Sequence, residues 1–162
     1  MAQKSDAPAQ PPAVISAFHE ELSAASSEIA AASQELNVPV TAVENYLSSL
    51  NIHVPAWVKV KGWSTDQGGF WLRELGYDYV DGGWHIAIRE SDGDEDDPER
   101  QTVRTWSFSR SPRKSRISAI DKLPELIQDV AKEAVKTARR LREKAAEANA
   151  FTSSLLTAKP KK

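Results

Sequence analysis

Between residues 13 and 36 the apolar positions recur at alternating steps of three and four: Ile15, Phe18, Leu22, Ala25, Ile29, Ala32 and Leu36. That spacing is the a/d seam with which a helix faces a partner helix. It predicts a helix about 35 Å long at ~1.5 Å per residue. Alanine at alternate layers lets a neighbour approach closely. Asn37-Val38-Pro39 reads as the stop, since Asn tolerates a left-handed cap and proline disfavours helix in the residue before it. Thr41-Ala42-Val43-Glu44 then has capping-box spacing, with Thr41 as N-cap. Val43, Leu47 and Leu50 make a short stripe, so a second helix is expected from about 42 to 50, closing an N-terminal helical hairpin over 13–52.

After Pro55 the period changes to two. Trp57-Val58-Lys59-Val60-Lys61 alternates as a half-buried strand does, and 70–80 reads as a second strand. Asp81-Gly82-Gly83 supplies the residues that accept positive φ in a tight hairpin. Trp84, Ile86 and Ile88 share one face of a third strand, and 102–109 reads as a fourth with Trp106 and Phe108. Nine of the twelve aromatic residues lie between Trp57 and Phe108, which places the folded core there. Ile117 to Ile120 offers a short fifth strand.

The longest element comes last. Asp121 is a candidate N-cap, and Pro124 lies in the first turn, where its missing N–H costs nothing. Ile127, Val130, Ala134, Ala138, Leu141, Ala145 and Ala148 trace a second three/four stripe. The fold class expected is α+β: a four- to five-stranded antiparallel meander flanked by the helical hairpin and a long C-terminal helix. The divisions are a disordered Pro-containing leader (1–12), helices (13–52), sheet (56–120), long helix (121–155) and a disordered basic tail (156–162), the whole as one folded unit.

Composition narrows the function classes. With no cysteine among 162 residues, disulfides, thiolate nucleophiles and cysteine-based zinc sites are excluded. No stretch approaches the roughly 18 apolar residues of a membrane span, and no apolar signal core precedes the first helix, so the expected compartment is cytoplasmic. The net charge of −2 conceals a division. Residues 1–100 carry 6 Lys/Arg against 17 Asp/Glu, a net of −11, and residues 101–162 carry 15 against 6, a net of +9. Such a split points to pairing of the halves or to an anionic partner.

The helices carry the clearest signal. Charges on the first are all acidic (Glu20, Glu21, Glu28, Glu35), and those on the last are mostly basic (Lys132, Lys136, Arg139, Arg140, Arg142, Lys144, against Asp129, Glu133, Glu143, Glu147). Opposite charge beside two apolar seams favours hetero-pairing over self-pairing. The partner-helix seam is read as Ile15, Phe18, Leu22, Ile29, Leu36, Val130 and Leu141. The same pattern serves equally to complete the fold within one chain.

A second candidate is the run Arg110-Ser111-Pro112-Arg113-Lys114-Ser115-Arg116, four cations in seven residues. Such a segment can follow phosphates, and with Arg139 and Arg140 it gives the nucleic-acid contacts to test. The plain alternative is a solvated loop offsetting the acidic stretch of 90–99. Trp57, Lys59, Lys61 and Trp63 share a face if the first strand runs straight, and would suit base stacking. Trp71 and Arg73 share a parity in the next strand. The acidic run at 92–97 resembles a calcium loop but has Asp97 where that loop needs glycine and Val103 where it needs a bidentate Glu. His19, His53 and His85 are scattered, and His85 alone has carboxylates (Glu74, Asp78) on nearby strand positions. Gly68-Gly69 and Gly82-Gly83 read as turns, and the serines of the first helix lack an adjacent base.

The expected function is therefore non-catalytic: a protein–protein interaction or assembly module acting through amphipathic helices, with a protein partner or a homo-oligomer. The alternative is a nucleic-acid-associated protein using 110–116 and the last helix. No cofactor, metal or membrane partner is expected.

Overall fold

The computed structural model describes residues 13–157 and divides the chain into two units, with the break after Glu35. The expected leader, and the basic tail from 158 on, lie outside the described residues. The first unit contributes one helix, α1 (Ala13–Glu35). Two of its serines bond back one turn: Ser27 Oγ donates to the Ser23 carbonyl (3.0 Å) and Ser33 Oγ to that of Ile29 (2.7 Å).

The second unit begins with α2 (Asn37–Ser49). This corrects two expectations. Pro39 does not stop a helix but lies in the first turn of one, where no intrahelical N–H bond is lost. Thr41 is inside the helix rather than its N-cap, and Glu44 bonds the Ile86 N–H (2.7 Å) instead of reaching back along its own helix. The left-handed Asn that follows α2 is Asn51 (φ 53°), not Asn37, and its N–H donates to Ser48 O at 2.9 Å.

Four antiparallel strands follow in sequence order: β1 (Ala56–Ser64), β2 (Gly69–Val80), β3 (Gly83–Asp94) and β4 (Asp97–Ser107). The β2–β3 hairpin turns through Asp81 (φ 55°) and Gly82 (φ 88°), the paired positive φ values of a type I′ turn. One face of the sheet carries Val58, Leu75, Tyr77, Ile86 and Ile88, all buried. Register puts Val58 opposite Leu75, and Leu75 opposite Ile88. Tyr77 donates its hydroxyl to Ile52 O (3.1 Å), and burial pushes that hydroxyl's pKa above its ordinary 10.0. On the opposite face the Trp57 ring lies over Gly76, with the Arg89 guanidinium 4.1 Å from the ring centre and bonded to Glu74 at 2.9 Å.

Beyond β4 the chain is helical. A 3-10 turn (Phe108–Arg110) leads to α3 (Arg113–Ala119), a second 3-10 turn (Ile120–Lys122) and α4 (Leu123–Thr157). The fifth strand expected at Ile117–Ile120 is absent because these residues continue a helix opened at Pro112, whose carbonyl accepts from the Ser115 and Arg116 N–H groups (2.9 and 3.1 Å). The buried positions Ser115 and Ala119 keep helical spacing, while Ile117 points outward. Asp121 sits in the second 3-10 turn, so it is not the N-cap of α4.

Leu123, Leu126 and Val130 of α4 close the core over the sheet, together with Val40 and Leu47 of α2, Phe108 and Ala119. Only the first turns of α4 do this. From Ala138 to Thr157 every residue is exposed, about 30 Å of helix at ~1.5 Å per residue. Local ion pairs line α4 up to and along this stretch, where packing gives out. Lys132–Asp129 and Lys136–Glu133 precede it, and Arg139–Glu143 and Lys144–Glu147 lie within it, all closing within α4 at three- or four-residue spacing. The Asp129 carboxylate also holds the Lys132 amine above its ordinary 10.5.

Candidate functional site

The apolar seam of α1 is open to solvent. Ile15, Phe18, Leu22 and Ile29 are between 46% (Ile29) and 70% (Leu22) exposed. Leu36, expected as its last layer, is partly buried against the core of the second unit.

The seam of α4 is divided between two tasks. Val130, read from sequence as a partner contact, is 1% exposed and spent on the protein's own sheet. The apolar face that carries Leu123, Leu126 and Val130 nevertheless runs on beyond the sheet as Ala134, Leu141, Ala145, Ala148 and Leu155, since residues at three/four spacing stay on one side of a helix. Leu141 is 65% exposed. Val135, Phe151, Leu155 and Leu156 are also exposed large residues that the sequence reading did not include. Phe151 and Leu155 follow Ala148 at steps of three and four, so the signal was in the spacing.

The basic segment is less free than its composition suggests. Arg110 Nη1 stands 3.4 Å from Asp81 Oδ2, and Arg116 Nη1 donates to Asn37 Oδ1 at 3.3 Å. Ser111 and Ser115 are buried, which turns the run into an ordered turn and helix rather than a loop. Arg113 and Lys114 are exposed on α3, and Arg140 is exposed on α4, whereas Arg139 pairs with Glu143. The six expected nucleic-acid contacts thus lie on the 3-10 turn, α3 and α4, and three of them have local partners.

A bulge dismantles the expected stacking platform. Lys59 pairs with Glu74 and Lys61 with Arg73, so Val60 is an extra residue and the parity of β1 flips there. Trp57 and Lys59 consequently share the face of Gly76 and Glu74. Lys61 and Trp63 fall on the other face, beside Arg73 and Trp71. The Arg73 guanidinium packs on Trp71 (5.0 Å to the ring centre) and is bonded to Glu90 (2.8 Å) and Ser118 (2.9 Å).

The acidic run occupies the end of β3, the β3–β4 turn and the start of β4. Among the described residues no group of three or more His, Cys, Asp or Glu is placed to hold a metal ion. His53 stacks on Trp84 (5.4 Å between centroids). His85 Nδ1 lies 3.6 Å from Glu44 Oε1, in the wall of a cleft of about 280 Å³ that also takes in Asn37, Thr41, Asp81 and Arg110. Glu44 was missed as its partner because the two are far apart in sequence and α2 was begun too late. In that cleft Arg110 faces the Asp81 carboxylate, and the His85 ring lies beside that of Glu44.

Among the described residues no helix is long and apolar enough to cross a membrane. Comparison of the chain with protein-family models, curated proteins and solved structures finds no match.

Proposed function

We propose that this protein is a non-catalytic assembly module that uses its sheet unit as an anchor and its exposed helical seams as the binding surface. One observation carries the reading: α4 runs about 30 Å past the last part-buried residue, Thr137, at ~1.5 Å per residue, and presents a continuous apolar stripe to solvent along that length. A helix that only completed a sheet of this size would end where the sheet ends. The segment is instead extended and reinforced by its own ion pairs, and it carries Leu141, Phe151 and Leu155 at seam spacing. Exposed stripes of this kind mark interaction sites in proteins. Recognition by an amphipathic helix lying along another helix is the matching mode.

The experiment is the solution mass by light scattering across a wide range of protein concentration. A mass that rises above 17.9 kDa and returns to it when Leu141 is replaced by Glu supports the module. A mass of one chain at every concentration removes self-assembly from the reading.

A further inference from the structure

The free segment of α4 and the seam of α1 are complementary in length, size pattern and charge. From these properties we infer that the occupant of each seam is a second copy of this chain, α1 of one copy lying parallel along α4 of another. The inference rests on the assembly reading above and adds its partner and register.

The size pattern selects the register. When Leu22 is set beside Ala138, the layers on either side become Phe18 with Ala134, Ala25 with Leu141, Ile29 with Ala145 and Ala32 with Ala148. A large side chain meets a small one in each, apart from the Ala32 layer, where both are small. Sliding by one heptad breaks this: Phe18 then meets Leu141, and Ala25 meets Ala148. Alternating large and small residues across facing positions lets two helices interdigitate without voids or overlap.

Charge selects the pair. α1 carries Glu20, Glu21, Glu28 and Glu35 and no Lys or Arg, whereas α4 from Ala134 onward carries five Lys/Arg against two Glu. Two copies of α1 repel each other, as do two free segments of α4. The mixed pair attracts. Glu21 flanks the α1 seam on the side that, in this register, faces Arg142, and Arg142 has no ion pair among the described residues. The seam of α1 through Ala32 and that of α4 from Ala138 on are exposed, with Ala134 part-buried, and a reciprocal exchange of helices is the arrangement that leaves no open end.

The absence of cysteine makes the register directly testable. Two full-length chains of distinguishable size are prepared, one with Ala32→Cys and the other with Ala148→Cys. They are mixed and oxidised with glutathione disulfide. Both sites are exposed alanines, so circular dichroism is expected to match the parent chain. Facing layers of a helix pair bring two Cα atoms within disulfide reach, about 4.4–6.8 Å.

The expected product is the mixed disulfide, formed in large excess over either symmetric disulfide and lost when Arg142→Glu is added to the Ala148→Cys chain. Mainly symmetric disulfides of Ala148→Cys would overturn the inference in favour of α4 self-pairing. A multimeric mass with no cross-link would overturn the register and leave assembly standing. A monomeric mass at every concentration would remove self-assembly, and the inference with it.

Discussion

The Trp57 indole occupies the space that a side chain at Gly76 would need: a Cβ built there overlaps ring carbons Cδ2, Cε3 and Cζ3. The ring is fixed from its other sides as well, by a hydrogen bond from Nε1 to Asp78 (3.2 Å) and by the guanidinium of Arg89. Gly76→Ala therefore forces the indole off the sheet, and overpacking of this kind costs about 1–3 kcal/mol. Denaturant unfolding should show the loss as a lower midpoint at unchanged slope. Trp57→Ala combined with Gly76→Ala should cost less than the sum of the two single changes, because the clash disappears with the ring.

Glu44 does for the end of the sheet what another strand would do. β4 ends at Ser107, opposite Ala87, and the next inward N–H, that of buried Ile86, is taken by the Glu44 carboxylate at 2.7 Å. Glu44→Ala leaves that donor unsatisfied, at a cost of about 1–3 kcal/mol. Glu44→Gln keeps an acceptor and should retain most of the stability. Equal losses in the two variants, measured by thermal unfolding, would show that the bond to the Ile86 N–H is not what Glu44 contributes.

These two contacts also show where the sequence was legible. Local periodicity is carried by neighbouring residues, so the alternation of β1, the Asp81-Gly82 turn and the three/four stripes of α1 and α4 could be read directly. The bulge at Val60 could not, because nothing in β1 distinguishes a straight strand from one with an extra residue; the partner strand decides. Pro39 misled for a related reason. The same residue ends one helix or opens the next, and the choice depends on whether Val40 and Leu47 find a core to enter. The site shows the same division. The exposed layers of α1 were visible as a pattern, but the assignment of Val130 to the protein's own sheet required knowing where the sheet ends.

Tyr77 gives the fold an alkaline limit. Its hydroxyl pKa is raised in the folded state by burial, so the folded chain holds a proton that the unfolded chain releases. The stabilisation is fully present below the ordinary tyrosine value of 10.0 and is lost as pH rises through the higher folded value. Tyr77→Phe should lower stability at neutral pH through the unpaired Ile52 carbonyl, and it should flatten the decline above pH 10.0. Unfolding midpoints of the two chains at stepped alkaline pH would then converge. Curves that stay parallel would mean that Tyr77 ionises as freely in the fold as outside it.

A chain ending after Thr137 separates the two tasks of α4. It keeps Leu123, Leu126 and Val130, the residues that close the core, and among the described residues it removes only exposed ones. The lost helical ion pairs are worth about 0.2–0.5 kcal/mol each and stabilise only the removed segment. The sheet unit should therefore unfold within about 1 kcal/mol of the full chain, as surface changes away from packed features usually do. Leu126→Ala in the full chain should cost about 2–5 kcal/mol by opening a cavity beneath the helix. The two variants should then part in solution mass. The shortened chain is expected to remain folded and monomeric, and the Leu126 variant to lose stability while still assembling wherever it stays folded. Assembly by the shortened chain would place the interface outside the free segment of α4.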